Sequence, residues 1–355
     1  VKRLRLLALQ EIEALEALAA SLRAPAVTEV VAEIETHGQK LPIRIVRFGV
    51  DSKVDPSAPV LILTGGVHGI EKIGSEVVLA HLRSFAEYAA WDKAMIGMLE
   101  KMRVIFVPIV NPGGVLLGMR SNPRGVDIMR NAPIESPELV SRAQFFRGHR
   151  MTPRLPWYRG EQGVPMEVET RALVDLVRKE AFASRLAICV DVHSGFGAID
   201  RLWFPYGSRR ALFPHVAEAM KLKKLLDRCL PNHVYAVEPQ ACQYTTHGDV
   251  WDYLYEEHRR SGHKGLFLPL TLEMGSWNWL KKNPFHATSL QALFHPIKAH
   301  RILRVLRRHS GLFEFLARAV SNGPSWSVAS IEERDRLTSE ARQLWKMEPV
   351  PEVFE

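Results

Sequence analysis

Apolar positions along the chain follow two rhythms. PIRIVRFGV (42–50) alternates with a period of two, whereas PVLILTGGV (59–67), MRVIFVPIV (102–110), LAICVDVH (186–193) and GLFLPLTLEM (265–274) are nearly unbroken apolar runs. Alternation marks a strand with one wet face, and a short continuous run marks a strand covered on both. RLWFPY (201–206) and HVYAVEP (233–239) read as two further strands. Between strands the period lengthens: Val77, Val78, Leu79, Leu82 and Phe85 form the apolar stripe of a helix within 71–89. Strands alternating with helices predict an α/β protein with a mixed, largely parallel central β-sheet covered by helices on both faces.

The first 25 residues have helical periodicity, and Glu11, Glu13 and Glu16 interrupt the apolar stretch that a secretory signal requires. Beyond residue 285 the pattern is again helical, and KAHRILRVLRRH (298–309) reads as an amphipathic helix with one cationic face. The last residues, PVPEVFE, are expected to form an irregular tail. Residues 111–166, rich in Gly, Pro and Arg, are expected to form long loops, which in a compact domain tend to carry function. Neither a repeat nor a low-complexity linker divides the chain. The expectation is one catalytic domain over residues 1–355, with its core at about 40–285, an N-terminal helix over 1–25 and a helical extension over 286–355.

Composition narrows the function classes. With 46% hydrophobic and 24% charged residues among 355, the chain can bury a large core and is not disordered. A net charge of +8 raises the question of an anionic partner. The basic residues are scattered, so no nucleic acid is expected. Three cysteines, Cys189, Cys229 and Cys242, lack the number and spacing of a disulfide framework or a thiolate zinc site. A reducing compartment follows, and a cytoplasmic location is expected, although the sequence begins at Val1 and an upstream segment remains open. No run approaches the roughly 18 apolar residues of a membrane span.

Several chemistry-bearing residues stand at strand ends, where open α/β sheets place their ligands. His68 and Glu71 lie three apart directly after a buried strand in TGGVHGIEKIG, so one turn points an imidazole and a carboxylate the same way. Alone, such a pair equally serves as a helix cap or a solvated turn. His193 ends another strand; two histidines and a glutamate make the donor set of a catalytic zinc, which keeps one position open for water. Glu273 ends a third, where a carboxylate is placed to take a proton from water, or to cap a helix.

Five ordered elements, HGIE (68–71), NPGG (111–114), MRSNPRGVDIMRN (119–131), DVHSG (191–195) and TLEMG (271–275), resemble those of zinc carboxypeptidases of the carboxypeptidase A type, over roughly residues 55–280. The resemblance implies one zinc per chain held by His68, Glu71 and His193. It implies Glu273 as general base for a zinc-bound water, and Arg120 as the cation that polarises the scissile carbonyl. Arg130 is implied to grip a free terminal carboxylate, and Asp127 to orient the first ligand histidine. Tyr253 resembles the tyrosine that closes over the substrate, with Tyr255 as its neighbour. The implied substrate is a peptide or peptide-like molecule with a free carboxylate.

Two positions depart from the family pattern. Met129 stands where the family has an asparagine that helps to hold the carboxylate, and a thioether donates no hydrogen bond. Asn131 is the candidate for compensation. Ile70 replaces an arginine found in some members. Two further readings stay open on these grounds: a zinc-dependent deacylase or amidase acting on an N-acyl amino acid, and a catalytically silent binding protein. The intact ligand set with Glu273 opposes the silent reading.

Overall fold

The computed structural model describes residues 2–138, 146–277, 294–296 and 298–346. The expected irregular tail lies outside the described residues. Helix α1 (Lys2–Ser21) leads into strands β1 (Val27–Thr36) and β2 (Gln39–Gly49). Then come β3 (Val60–Gly65), α2 (Lys72–Trp91), α3 (Lys93–Leu99), β4 (Arg103–Val107), α4 (Pro112–Leu117), α5 (Val168–Ala181), β5 (Leu186–Ser194) and β6 (Arg201–Phe204). The remaining elements are α6 (Val216–Cys229), β7 (Ala236–Pro239), α7 (Val250–Arg260), β8 (Leu266–Met274), α8 (Ala299–Ser321), α9 (Gly323–Trp326) and α10 (Ile331–Trp345).

The eight strands form one mixed sheet in the order β1-β2-β4-β3-β5-β8-β6-β7. Its centre, β4-β3-β5-β8, is parallel, so these strands end along a common edge. Every residue of β3, β4 and β5 is buried, which is why each reads as an unbroken apolar run. Helices α2 and α8 pack together and onto β3 and β5, while α5 packs on β1 and α7 on β8. The long α8 buries Leu312, Phe313, Leu316 and Val320 in the same core as the sheet.

Strand β1 is not among the sequence-predicted strands. It lies at the sheet edge with only Ile34 and Thr36 buried, and Glu29, Glu33 and Glu35 interrupt its apolar pattern. Such charges suit an edge and erase the signal that periodicity needs. Within the expected loop region, Asn111 nucleates the short helix α4 by accepting the Gly114 N–H at 2.8 Å. Among the described residues, no helix is long and apolar enough to cross a membrane.

Four histidines are buried without the solvation that a charged ring needs. Burial pushes His81, His258, His295 and His309 down to about 4. His81 is packed among Phe85, Phe106 and Phe313 at ring separations of 5.0–6.0 Å. Because its folded value lies below the unfolded one, the stability it permits is complete above about pH 6.5 and falls as pH drops toward 4. Denaturant titrations at pH 7.5 and 5.0 should show a smaller loss in His81→Leu than in wild type, by about 2 kcal/mol. Equal losses would show that His81 does not couple folding to pH.

Candidate metal centre and active site

The turn after β3 is shaped by a close approach. A Cβ on Gly69 would lie 1.9 Å from the Gly114 carbonyl carbon of α4, so this position excludes any larger residue. Asn111 bridges the same two segments, since its Nδ2 donates to the Val67 carbonyl at 3.1 Å. The Glu71 N–H donates to the His68 carbonyl at 3.0 Å, closing a turn that sets both side chains together. On β5 the two-residue period places Asp191 and His193 on one face. The parallel register pairs His193 with Glu273 of β8.

Three acceptors converge here. His68 Nδ1 lies 2.9 Å from Glu71 Oε1, and His193 Nδ1 lies 3.1 Å from Glu71 Oε2 and 3.2 Å from His68 Nδ1. The far ring nitrogens meet carboxylates: His68 Nε2 is 3.0 Å from Asp127 Oδ1, and His193 Nε2 is 2.7 Å from Asp191 Oδ2. Asp191 is itself held by the Thr64 hydroxyl at 2.8 Å and the Trp251 indole N–H at 3.1 Å. With a metal bound, each Nε2 would keep its proton toward its outer carboxylate and each Nδ1 would present its lone pair to the ion. Two lone pairs and a carboxylate, all buried and with ligand atoms within 4.8 Å of one another, form a group that could hold a metal ion. Two imidazoles and one carboxylate are the donor set of catalytic zinc, and the outer carboxylates supply the orientation that such ligands need.

The electrostatics agree with a centre built for positive charge. Burial raises the Glu71 carboxyl, but His68 and His193 outweigh it and hold it well below the usual range. Burial likewise opposes ionisation of Asp127, and Arg130, Arg120 and His68 overcome it. Burial lowers His193, yet Asp191 and Glu71 lift it well above an ordinary imidazole. Glu273 differs: burial, reinforced by the charge of Glu71, pushes it up to about 8. Its Oε1 accepts the Phe196 N–H at 3.0 Å, and among the described residues Oε2 has no hydrogen-bond partner.

Asp127 organises the cationic side of the site. One oxygen meets His68; the other accepts from Arg120 Nε at 3.1 Å and Arg130 Nη1 at 2.7 Å. A single 3-10 turn, Ile128–Arg130, brings Arg130 back over Asp127. Arg120 also donates from Nη1 to Glu71 Oε1 at 2.9 Å. Arg130 Nε donates to the Thr246 hydroxyl at 3.0 Å, and Gly248, with φ +73°, approaches so closely that a Cβ would lie 1.7 Å from the Arg130 carbonyl oxygen.

Two candidate substrate residues have partners within the protein. Asn131 donates from Nδ2 to the Arg159 carbonyl at 2.9 Å and accepts the Glu167 N–H at 2.6 Å, so its amide ties two loops together. Tyr253 turns away: its hydroxyl meets Arg178 of α5 at 3.1 Å. Trp251 on the same helix reaches Asp191, and two residues rotate a helix by about 200°, so Tyr253 takes the opposite face. Tyr255 is buried, with its hydroxyl 2.9 Å from His215 Nδ1. Met129 is packed in the core.

Two residues of the site escaped the sequence reading. Tyr244 lies 5.6 Å from Phe196 and 5.8 Å from Trp203, ring to ring. Burial raises its hydroxyl, and Arg130, Glu273 and Arg120 all act on it; it is the tyrosine beside the cationic groups. Nothing local marks it, because CQYTTHG lacks periodicity. Asp191 was legible in principle, since the D-V-H spacing puts it on the face of His193.

A mixed α/β sheet, parallel at its centre, thus gathers near the ends of its central strands two histidines and a glutamate that could hold a metal ion. The chain belongs to the zinc carboxypeptidase family, whose model matches residues 15–288. Its fold is similar to that of bovine thrombin-activatable fibrinolysis inhibitor, solved in complex with tick carboxypeptidase inhibitor. The TM-score is 0.61 at 15% identity, covering 88% of this chain and 95% of that one. Carboxypeptidase A from Helicoverpa armigera is similar with a TM-score of 0.59 at 16% identity, covering 86% of this chain and 70% of that one.

If Asp191 fixes the tautomer of His193, Asp191→Asn should weaken zinc binding by about 10- to 100-fold. Competition against a chromophoric chelator measures this directly. Unchanged affinity would remove Asp191 from the metal centre.

Proposed function

We propose that the protein is a zinc metallocarboxypeptidase that hydrolyses the C-terminal amide bond of a peptide or peptide-like substrate. The observation that carries this reading is the grouping of Glu273, Arg120 and Arg130 around the His68, Glu71, His193 donor set. One zinc per chain would be held through His68 Nδ1, His193 Nδ1 and the Glu71 carboxylate. When bound, the ion supplies Lewis acidity that lowers the pKa of water and polarises a carbonyl.

The protein's own groups divide the remaining work. Glu273, anchored by the Phe196 amide at one oxygen, takes a proton from the attacking water at the other and delivers it to the leaving amine. Arg120 is a fixed cation in a site with little water, suited to the charge that develops on the carbonyl oxygen. Arg130, held by Asp127 and Thr246, keeps Nη2 without a partner among the described residues and offers it to the terminal carboxylate. Tyr244, rather than Tyr253, takes the place beside the substrate.

A second reading, removal of an acyl group from an N-acyl amino acid, is favoured by one observation. Met129 occupies the core and Asn131 is tied to backbone groups, so the grip on a terminal carboxylate differs from the family pattern. Peptides and N-acyl amino acids assayed side by side separate the two.

Glu273→Gln should retain zinc and lose about 10²- to 10⁴-fold in the rate of C-terminal trimming, as expected for removal of a general base. Full activity in that variant would overturn the mechanism. Tyr253→Phe should stay within about twofold of wild type, whereas Tyr244→Phe should raise KM; the reverse pattern would restore Tyr253 to the site.

A further inference from the structure

The arginines of the loops around the site are almost all matched. Arg120 and Arg130 reach Asp127, Arg124 reaches Glu167, and Arg159 reaches Glu135. Arg150 donates to the carbonyls of Gly160 and Glu161. Arg147 and Arg154 are the exceptions, and of the two Arg154 is exposed to solvent while Arg147 is half-buried. Among the described residues the Arg147 guanidinium has neither an ion pair nor a hydrogen bond, and it lies over the Tyr244 ring at 5.7 Å from the centroid. The three internal stretches outside the described residues, 139–145, 278–293 and position 297, contain no Asp or Glu. No acid from those segments can neutralise it.

Arg147 is held at the site by its backbone. Its carbonyl accepts the His247 N–H at 3.1 Å and the Thr246 hydroxyl at 3.4 Å, and that same hydroxyl accepts from Arg130. Tyr244, over whose ring Arg147 lies, is acted on by Arg130, Arg120 and Glu273. Three guanidinium groups therefore share one tyrosine, and only two of them have a carboxylate. A substrate carboxylate on Arg130 leaves Arg147 uncompensated. Covering an arginine with a neutral group strips water from its N–H donors without replacing it, whereas a carboxylate restores both charge and hydrogen bonds. Sites with such unmatched polar groups discriminate strongly against analogues that cannot pair with them.

We infer that Arg147 is a specificity-determining residue, and that the preferred substrate carries a second carboxylate, as the side chain of an Asp or Glu flanking the scissile bond. The inference rests on the carboxypeptidase reading for its reaction and on Arg147 alone for its selectivity. Half-buried over the Tyr244 ring, Arg147 keeps planar N–H donors that suit a carboxylate, the partner a guanidinium binds most strongly.

Two measurements on the zinc-loaded protein test it. The first compares kcat/KM for peptides differing only by Glu or Gln, placed last or next to last. The second compares binding of N-acetylglutamate and N-acetylglutamine by calorimetry. Wild type should favour the acid in both, by about 10- to 100-fold, the worth of one charge-assisted hydrogen bond. The ratio should fall to about one in Arg147→Gln and invert in Arg147→Glu. Trimming with equal use of Glu and Gln, or a preference that survives Arg147→Gln, overturns the inference and leaves the carboxypeptidase reading standing. Selective binding of the acid, dependent on Arg147 but without trimming of any peptide, supports the inference and removes that reading instead.

Discussion

Two buried aspartates set the proton positions on which the whole centre depends. Asp127 and Asp191 each accept from the Nε2 of a candidate ligand histidine, and so both Nδ1 atoms turn inward toward Glu71. Neither aspartate could stay ionised in that environment unaided, because burial favours the neutral acid. Asp127 is sustained by two arginines and His68, and Asp191 by His193, the Trp251 indole and the Thr64 hydroxyl. The requirement therefore propagates outward. Trp251 belongs to α7 and Thr64 to β3, so the orientation of one imidazole is set by a strand, its parallel neighbour and a helix.

Asp127 also couples the metal centre to the substrate side. One of its oxygens fixes His68 and the other holds Arg120 and Arg130, so a single carboxylate positions a ligand and both candidate substrate cations. The loop that carries it is secured from several directions. Asn122 accepts the Val126 N–H and donates to Glu167, the Thr170 hydroxyl donates to the Ile128 carbonyl, and Asn131 joins residues 159 and 167. Most of these anchors are polar side chains satisfying backbone groups, which is how an irregular segment next to a buried site avoids unpaired amides.

Glu273 occupies the opposite electrostatic regime. Its carboxyl is raised by the same burial that Asp127 and Asp191 overcome, because the charge of Glu71 adds to that burial and outweighs the opposing pull of His193 and Arg120. Carboxylates a few ångströms apart are thus divided into permanent anions and a proton acceptor by the cations placed beside them.

The amino-acid sequence by itself determined the strands of the sheet centre, because β3, β4 and β5 are buried on both faces and so leave unbroken apolar runs. It also singled out His68, Glu71 and His193, which stand at or just after the ends of such runs and come together as a group that could hold a metal ion. Edge strand β1 was invisible, because its solvent-facing glutamates break the pattern. Only the tertiary structure decided which tyrosine stands by the cations. Tyr253 has the more regular context, yet the facing of α7 that delivers Trp251 to Asp191 rotates Tyr253 onto Arg178, and Tyr244 arrives from an aperiodic loop. The same holds for Asn131, whose partners lie 28 and 36 residues away. Periodicity reports which face of an element is buried; it carries no information on which distant backbone group or side chain will meet that face, and packing alone supplies it.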